Sequence, residues 1–287
     1  MNNELKKLII KGMLFVTLLL LLFAFTNTHF MNTNNQKEHI HHKENLFNSF
    51  IAKNSSIDYL FIGDSHTVSG IVASEIKSNS FNYGVPSESF TDTYFRLRDT
   101  LKKNITIKAI VLEVDYSMGH IDIYPAKMHF YKKYILLSDL MKSNKSDKAS
   151  IIAKYYIPFA GEINTYYMNP RGNIFDRHGT KTREHPPKKI SLTEIPNRPY
   201  SNTDYLDEII ELCEKKNIDL IFLMYPLYYK NTENHIYYEN MYEKLNGTYL
   251  LDYTNLFINN SELFTDNKHL SLDGAQKLTA VLNGDLH

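Results

Sequence analysis

Short apolar runs alternate with helical patterns along most of the chain after residue 50. The runs at 57–62, 107–114 and 218–224 are continuous and bounded by polar residues, as is typical of buried strands, and 249–251 is a shorter one. The patterns between them predict helices at 69–77, 87–103, 202–216, 232–245 and 271–282. This alternation predicts an α/β domain whose parallel sheet is covered on both faces, with right-handed crossovers.

The N-terminus follows a different pattern. Residues 8–25 are mostly apolar, and the stretch 15–25 carries no charge. The length of the apolar stretch 8–25 is near the lower limit of about 17 residues for a membrane-spanning helix. Lys6, Lys7 and Lys11 predict that the N-terminus stays inside. We therefore expect residues 1–30 to be a cytoplasmic tip and transmembrane anchor, with the rest of the chain outside the cytoplasm. A cleaved signal peptide is the alternative, although a small-x-small cleavage site is missing.

Two polar segments, residues 31–50 and 117–200, complete the predicted domain organisation. Residues 31–50 predict a juxtamembrane linker, and its histidines (His39, His41, His42) are interpreted as solvated because no carboxylate or Cys pattern completes a metal site. Residues 117–200 are rich in Tyr, Lys, Asn and Pro and interrupt the strand–helix rhythm. We interpret them as an insertion in a domain that spans 51–287, placed where ligands bind an α/β sheet.

Composition narrows the function classes. The 32 Lys and Arg residues balance the 32 Asp and Glu residues, and no basic stripe is present, so nucleic acid is not an expected partner. An apolar fraction of 43% is ample for a packed core. Cys213 is the single cysteine and cannot form an internal disulfide, which does not conflict with export.

A candidate nucleophile lies directly after the first predicted strand. Ser65, in the segment Gly63-Asp64-Ser65-His66, stands between that strand and a predicted helix, so its hydroxyl should be exposed at the carboxyl end of the strand. The N-terminus of a helix favours developing negative charge, and Gly63 permits a close backbone approach to a substrate. Capping and turn residues would give the same pattern without any catalytic role.

A candidate base lies near the C-terminus. Asp266 precedes His269 by three residues, a spacing that lets the carboxylate turn back onto the imidazole and fix its tautomer. A serine hydroxyl becomes a strong nucleophile when such a base takes its proton. Ser65, His269 and Asp266 together therefore predict acyl-transfer chemistry.

Both segments resemble a known family. Gly-Asp-Ser-His after a strand and Asp-x-x-His-Leu-Ser-x-x-Gly-Ala before the last helix are similar to the first and last blocks of SGNH (GDSL-like) hydrolases. The resemblance implies a flavodoxin-like three-layer sandwich with Ser65 as nucleophile, His269 as base and Asp266 as the group that orients it. It also implies an oxyanion hole formed by the backbone N–H groups of Ser65 and Gly84.

The third block of the family differs in this chain. The strand that usually ends in an Asn donor ends here in Leu112-Glu113-Val114-Asp115-Tyr116, with Asp115 as the candidate substitute. An ionised carboxylate cannot donate, and loss of one such donor typically costs about 3 kcal/mol of transition-state stabilisation. The missing Asn and the N-terminal anchor resemble the exported acyltransferase-like branch, which includes the D-alanyl lipoteichoic acid transfer and alginate acetylation proteins.

The resemblance implies a function and leaves alternatives open. We expect acyl transfer, O-acetyl or similar, through Ser65 to a cell-envelope polysaccharide or teichoic-type polymer, beside a membrane-embedded acyltransferase. An esterase or deacetylase with the same residues is one alternative, and a non-catalytic assembly protein is another. No cofactor or metal is expected, because the histidines of the insertion (His120, His129, His178, His185) form no recognisable ligand set. Most of the insertion's tyrosines, such as Tyr131 and Tyr166, are interpreted as packing residues, and Arg171 and Arg177 as solvated.

Overall fold

A computed structural model of the chain describes residues 3–32, 35–116, 118, 178–180, 190–195, 204–230 and 235–286. The chain divides into two compact units. One comprises residues 1–38 and 125–171, and the other comprises residues 39–124 and 172–287.

The described part of the first unit is dominated by helix α1 (Asn3–Asn32). Its large apolar side chains are exposed, among them Leu8 (67%), Leu14 (64%) and Phe25 (71%). Within the described residues, no helix meets both the length and the hydropathy needed to cross a bilayer.

The second unit is built on a parallel sheet, which confirms the predicted α/β class. Its strands are β1 (Ser56–Ile62), β2 (Ser80–Asn82), β3 (Thr106–Glu113), β5 (Asp219–Met224) and β7 (Tyr249–Asp252), in the order β2-β1-β3-β5-β7. Two short parallel strands, β4 (Thr193–Glu194) and β6 (Tyr229–Lys230), form a separate pair. The strand order reverses its direction at β1, and in such sheets ligands bind beyond the carboxyl ends of the strands at the reversal.

Helices flank this sheet. They are α2 (Asn35–Ile51), α3 (Ser65–Gly70), α4 (Phe90–Thr100), α5 (Asp204–Lys216), α6 (Ile236–Lys244) and α7 (Leu272–Asp285), with 3₁₀ turns at Ala73–Glu75 and Ser261–Leu263. Helix α7 packs beside α3, and α4 packs beside α5. On the α7 face, Phe61, Val111 and Leu223 from three strands pack in one core with Leu278 and Leu282. Alternate residues of the same strands are buried on the other face, as strand geometry requires.

Residues 35–51 form helix α2, whereas the sequence predicted a linker at 31–50. The cause is aromatic packing near the end of this segment. The ring of Phe47 stacks on Tyr83 with centroids 4.4 Å apart, and Phe50 packs against Phe81 at 5.1 Å. Burial of these rings holds the second half of α2 against the α/β unit.

The helix predicted at 69–77 is wrong in both boundaries. Helix α3 begins at Ser65 because the Asp64 carboxylate accepts the N–H of His66 as an N-cap. It ends at Gly70, where the Asn82 amide donates to the carbonyls of Thr67 (2.7 Å) and Ile71 (3.0 Å). The same Asn82 side chain accepts the Gly84 N–H at 3.2 Å, so it joins the end of α3 to the turn after β2.

The second predicted helix begins later than expected. Helix α4 starts at Phe90 rather than at residue 87, because Ser89 and Asp92 form a capping box and Ser87 has a positive φ of 57°. Arg96 of α4 forms a buried ion pair with Glu88 and donates to the carbonyl of Tyr83 at 2.6 Å. This pair fixes the turn between β2 and α4.

Most of the predicted insertion at 117–200 lies outside the described residues, with its tyrosines at 131 and 166, Arg171, Arg177 and three of its four histidines. Among those histidines the described one is His178, which lies edge-on to Phe50 and contacts the carbonyl of Ser80 at 3.3 Å. These are packing contacts within the α/β unit.

Asn82→Ala should lower the free energy of unfolding by about 3 kcal/mol, because it leaves buried carbonyls of α3 and the Gly84 N–H without their partner. Urea denaturation measures this value. Asn283→Ala is the matched control, since Asn283 also bonds backbone groups (Lys77 N–H, Glu75 carbonyl) but lies near the surface. Equal losses in the two variants would contradict the assignment of Asn82 as a buried connector.

Candidate active site

Ser65 lies at the point where the strand order reverses. It is the first residue of α3, directly after β1, and its side chain is partly exposed. Its backbone N–H is among those at a helix start that have no intrahelical acceptor. The Ser69 hydroxyl donates to the Ser65 carbonyl at 2.7 Å, which secures this first turn. Ser65 therefore lies at the predicted strand–helix turn, and its side chain is partly exposed there.

Asp266 and His269 lie on a short loop before α7. The loop is closed at its base, because Thr265 N–H donates to the His269 carbonyl at 2.8 Å. The Asp266 carboxylate accepts the backbone N–H groups of Lys268 (2.8 Å) and His269 (2.9 Å), so the loop turns around it. Asn267 holds the loop from outside by donating to the carbonyls of Tyr228 and Ser191, both at 2.8 Å.

The structure brings the three residues into one hydrogen-bonded line. Ser65 Oγ lies 2.8 Å from His269 Nε2. His269 Nδ1 lies 2.9 and 2.8 Å from the two Asp266 oxygens. Because Nδ1–H donates to the carboxylate, Nε2 is the nitrogen left to accept the serine proton. This arrangement can raise the nucleophilicity of Ser65 and store its proton.

The electrostatics of Asp266 suit a group that orients a base. Partial burial opposes its charge, but the hydrogen bonds and charge of His269 and the two backbone N–H groups together lower its pKa. Asp266 therefore stays ionised across the physiological range. Its side chain is 50% exposed and that of His269 is 16% exposed, so the line opens to solvent at this end.

Gly84 is placed next to the nucleophile turn. A side chain at this position would collide with Thr67 in the first turns of α3, so only glycine fits. Its N–H, the predicted oxyanion donor, is directed at Asn82 Oδ1 at 3.2 Å. This distance is at the long end for a hydrogen bond, and such an N–H can be shared between two acceptors.

Glu113, the last residue of β3, lies buried beneath the nucleophile turn. One of its oxygens, Oε2, accepts the N–H of Asp64 at 2.7 Å, the N–H of Thr67 at 3.1 Å and the Thr67 hydroxyl at 2.7 Å. A side chain on Gly63 would overlap Glu113 and Thr67. The close approach that Gly63 permits is therefore to Glu113, whereas the sequence predicted an approach to substrate.

His66 lies between this buried carboxyl group and the partly exposed His269. Its Nδ1 contacts Asp64 Oδ1 at 2.8 Å and Glu113 Oε1 at 3.1 Å. Its ring is stacked on that of His269, with centroids 5.2 Å apart and planes 20° apart. Tyr225 lies against His66 as well, at 6.2 Å. Two histidines are thus layered at the carboxyl end of β1.

Asp115 is not placed as the predicted substitute for the missing Asn. Its side chain is fully buried, 4.0 Å from His66 Nδ1 and 3.5 Å from the Tyr238 hydroxyl. Burial, only partly offset by the charge of His66, raises the pKa of Asp115 to about 7. It is therefore largely protonated below that pH, but it does not reach the surface on which Ser65 opens.

Burial and the neighbouring charges shift the pKa values of Glu113, Asp64 and His66 in different directions. Burial raises the pKa of Glu113, and the nearby Asp64 carboxylate raises it further. Burial also opposes charge on Asp64, but His66 outweighs this effect and lowers the pKa of Asp64. Burial disfavours a charged His66 as well, yet the Asp64 carboxylate raises the pKa of His66 well above its ordinary value. These directions favour a charged Asp64–His66 pair and disfavour a negative charge on Glu113.

Asp64, His66 and Glu113 are the described residues that could each offer one ligand atom to a metal ion. Their atoms, however, lie at hydrogen-bond distances from one another, and Glu113 Oε2 already accepts three donors. The set is arranged to share protons. His42 is exposed at the surface of α2, and the other histidines of the predicted linker lie outside the described side chains.

Sequence reasoning missed His66 and Glu113 as site residues. A signal for Glu113 was present, because a charged residue interrupts the apolar run 110–114 and a buried charge must be paired. The position of His66 directly after Ser65 carries no such signal, since its partner Glu113 is 47 residues away.

The comparisons with known proteins identify no family. Neither a family model nor a curated protein sequence matches the chain. Among solved structures, the chain is similar to a protein described as "a putative platelet activating factor from Streptococcus pneumonia". The two share 13% identity, with 96% of this chain and 99% of the other covered, and the TM-score is 0.44. A similarity of this size carries no argument about function.

Asp115→Asn should make the free energy of unfolding less dependent on pH. The ordinary pKa of an Asp carboxyl is 3.8, and in the folded chain the pKa of Asp115 is about 7. The folded chain therefore becomes less stable as the pH rises from 3.8 through 7, because Asp115 ionises more readily in the unfolded chain. The variant side chain cannot ionise, so its stability relative to the unaltered chain should be about 2.5 kcal/mol more favourable at pH 8 than at pH 5. Urea denaturation at the two pH values measures this, with Asp219→Asn at an exposed position as the control. A relative stability that does not rise with pH would contradict the burial argument.

Proposed function

We propose that this protein is a membrane-anchored acyltransferase of the SGNH type, which passes an acyl group through Ser65 to a hydroxyl of a cell-envelope polymer. The observation that carries the proposal is the line from Ser65 Oγ to His269 Nε2 (2.8 Å) and from His269 Nδ1 to Asp266. The flavodoxin-like strand order, with Ser65 at the reversal, supports the placement.

The chemistry follows from the geometry in two halves. Ser65 Oγ attacks the carbonyl carbon of the acyl donor while its proton moves to His269 Nε2, and Asp266 stabilises the resulting imidazolium. The oxyanion forms at the start of α3, where the Ser65 N–H can donate, while the Gly84 N–H, the second predicted donor, is bonded to Asn82 Oδ1 in this structure. His269 then protonates the leaving group, which leaves an ester on Ser65. In the second half, His269 takes a proton from the acceptor hydroxyl, whose oxygen attacks the ester. The bond from the acyl carbon to Ser65 Oγ then breaks, and His269 returns the proton to Ser65 Oγ.

The N-terminal part of the proposal is supported by α1. The large apolar side chains described in it, between Leu5 and Phe25, are exposed, and Lys6, Lys7 and Lys11 lie near its start. Exposed apolar surface of this kind favours lipid, and the lysines favour an inner N-terminus. The acyl donor would then come from a membrane-embedded acyltransferase on the outer side.

Carbonate extraction of membranes tests the anchor. The full chain should stay in the membrane pellet after an alkaline wash. The double change Leu18→Lys, Leu20→Lys should release it, because each lysine at the centre of a span costs about 3 kcal/mol. Recovery of the unaltered chain in the wash would overturn this part of the proposal.

Labelling with a fluorophosphonate tests the nucleophile. The full chain should take up one phosphonate on Ser65, which is located by peptide mass spectrometry. Ser65→Ala should abolish the label, and His269→Ala should slow it by about a thousandfold or more, because the base is lost. Ser69→Ala is the matched control, since Ser69 lies in the same short helix and its hydroxyl donates to the Ser65 carbonyl, not to the Ser65 side chain. A folded chain without label on Ser65 would overturn the proposal.

A further inference from the structure

We infer that His66 is a positioning residue for this reaction, and that with Asp64 and Glu113 it forms a second, buried histidine–carboxylate unit that holds the ring of His269 and opposes its protonation. The inference rests on the proposed function, because it concerns the base of that same site. In this role His66 acts through His269, and not by contact with Ser65 Oγ or a substrate.

His66 contacts one face of the His269 ring. The His269 side chain is held at Nδ1 by Asp266 and at Nε2 by Ser65 Oγ, and both contacts lie in the plane of its ring. In-plane contacts alone do not stop the ring from tilting. The His66 ring covers one face of His269 at 5.2 Å with nearly parallel planes, and His66 itself is 2% exposed. A buried, immobilised ring is therefore the surface that limits this tilt.

His66 is itself held in place by hydrogen bonds. Its backbone N–H and its Nδ1 both contact Asp64 Oδ1 at 2.8 Å, and Nδ1 also contacts Glu113. Glu113 is in turn held by the N–H groups of Asp64 and Thr67. The orientation of His66 is thus fixed through Glu113 from β3 and through Asp64 from the turn that carries Ser65.

The charges around His66 bear on the protonation of His269. The carboxyl groups near His66 all lie at its Nδ1 edge, whereas its Nε2 has no hydrogen-bond partner among the described residues. The groups that face His66 come from four places. They are Asp64 at the start of α3, Glu113 at the end of β3 with Asp115 after it, Tyr225 after β5, and His269 from the loop before α7. The Asp64 carboxylate favours a cationic His66, which is the member of this pair that touches His269. A positive ring at 5.2 Å disfavours a second positive charge on His269.

The consequence concerns the pH at which the base works. His269 must be neutral to take the proton of Ser65, so a cationic neighbour keeps it neutral to a lower pH. Removal of that charge should move the midpoint of the reactivity profile upward.

The test is the pH profile of fluorophosphonate labelling of Ser65 in the full chain. His66→Asn retains a side-chain N–H for Asp64 but lacks the ring and its charge, so the midpoint should rise by about one pH unit. Tyr225→Phe is the control, because it keeps an uncharged ring against His66 and should leave the midpoint where it is in the unaltered chain. A His66→Asn midpoint that is unchanged or lower, with only a slower rate, would overturn the inference.

A second measurement covers the case in which His66→Asn fails to fold. Nitrogen-15 NMR of the histidine rings in the unaltered chain reports protonation directly. Both ring nitrogens of His66 should stay protonated while His269 titrates, and a neutral His66 in that range would overturn the inference.

The proposed function and the role of His66 can fail separately. Absence of label on Ser65 in the unaltered chain would overturn the proposed function, whereas the NMR titration decides the role of His66 without any labelling.

Discussion

The position of Ser65 depends on a carboxyl group that is buried beneath it. Glu113 has no exposed side-chain surface, and burial of such a group is costly unless it is fully bonded. The turn that carries Ser65 supplies that bonding through two backbone N–H groups and the Thr67 hydroxyl. The same contacts therefore satisfy Glu113 and set the backbone of the nucleophile turn, and Gly63 leaves the room they need.

The sheet explains why so many polar groups meet at this place. In a parallel sheet the carboxyl ends of neighbouring strands lie at one edge, so residues that follow β1 and β3 become neighbours although they are distant in the chain. Asp64 and His66 follow β1, and Glu113 and Asp115 end or follow β3. Four titratable side chains, each at most 3% exposed, are thereby packed behind the exposed line of Ser65, His269 and Asp266. Ionisable groups are rarely buried together for stability alone, and such clusters are typical of functional sites.

The parts of this arrangement that the sequence predicts are the local ones. The apolar runs place β1, β3 and β5 to within a residue or two, because continuous burial leaves a continuous pattern. The pairing of Asp266 with His269 is equally predictable, since three residues of loop suffice to bring them together. The parts that depend on distant contacts are not predictable in this way. The early start of α3 could be inferred from the Asp64 cap, but its end is set by Asn82, eleven residues beyond Ile71. The stacking of His66 on His269 joins residues 203 positions apart (269 minus 66) and leaves no trace in either segment.

The central claim is that this layered site activates Ser65 for acyl transfer. Time-resolved intact-mass analysis of the full chain with p-nitrophenyl acetate tests it most directly, followed by addition of an oligosaccharide acceptor. The account predicts one acetyl group per chain, located on Ser65, which leaves the protein faster when the acceptor is present and is recovered as an ester on the sugar. A folded chain that gains no acetyl group on Ser65, or gains it equally at several surface residues, would contradict the account.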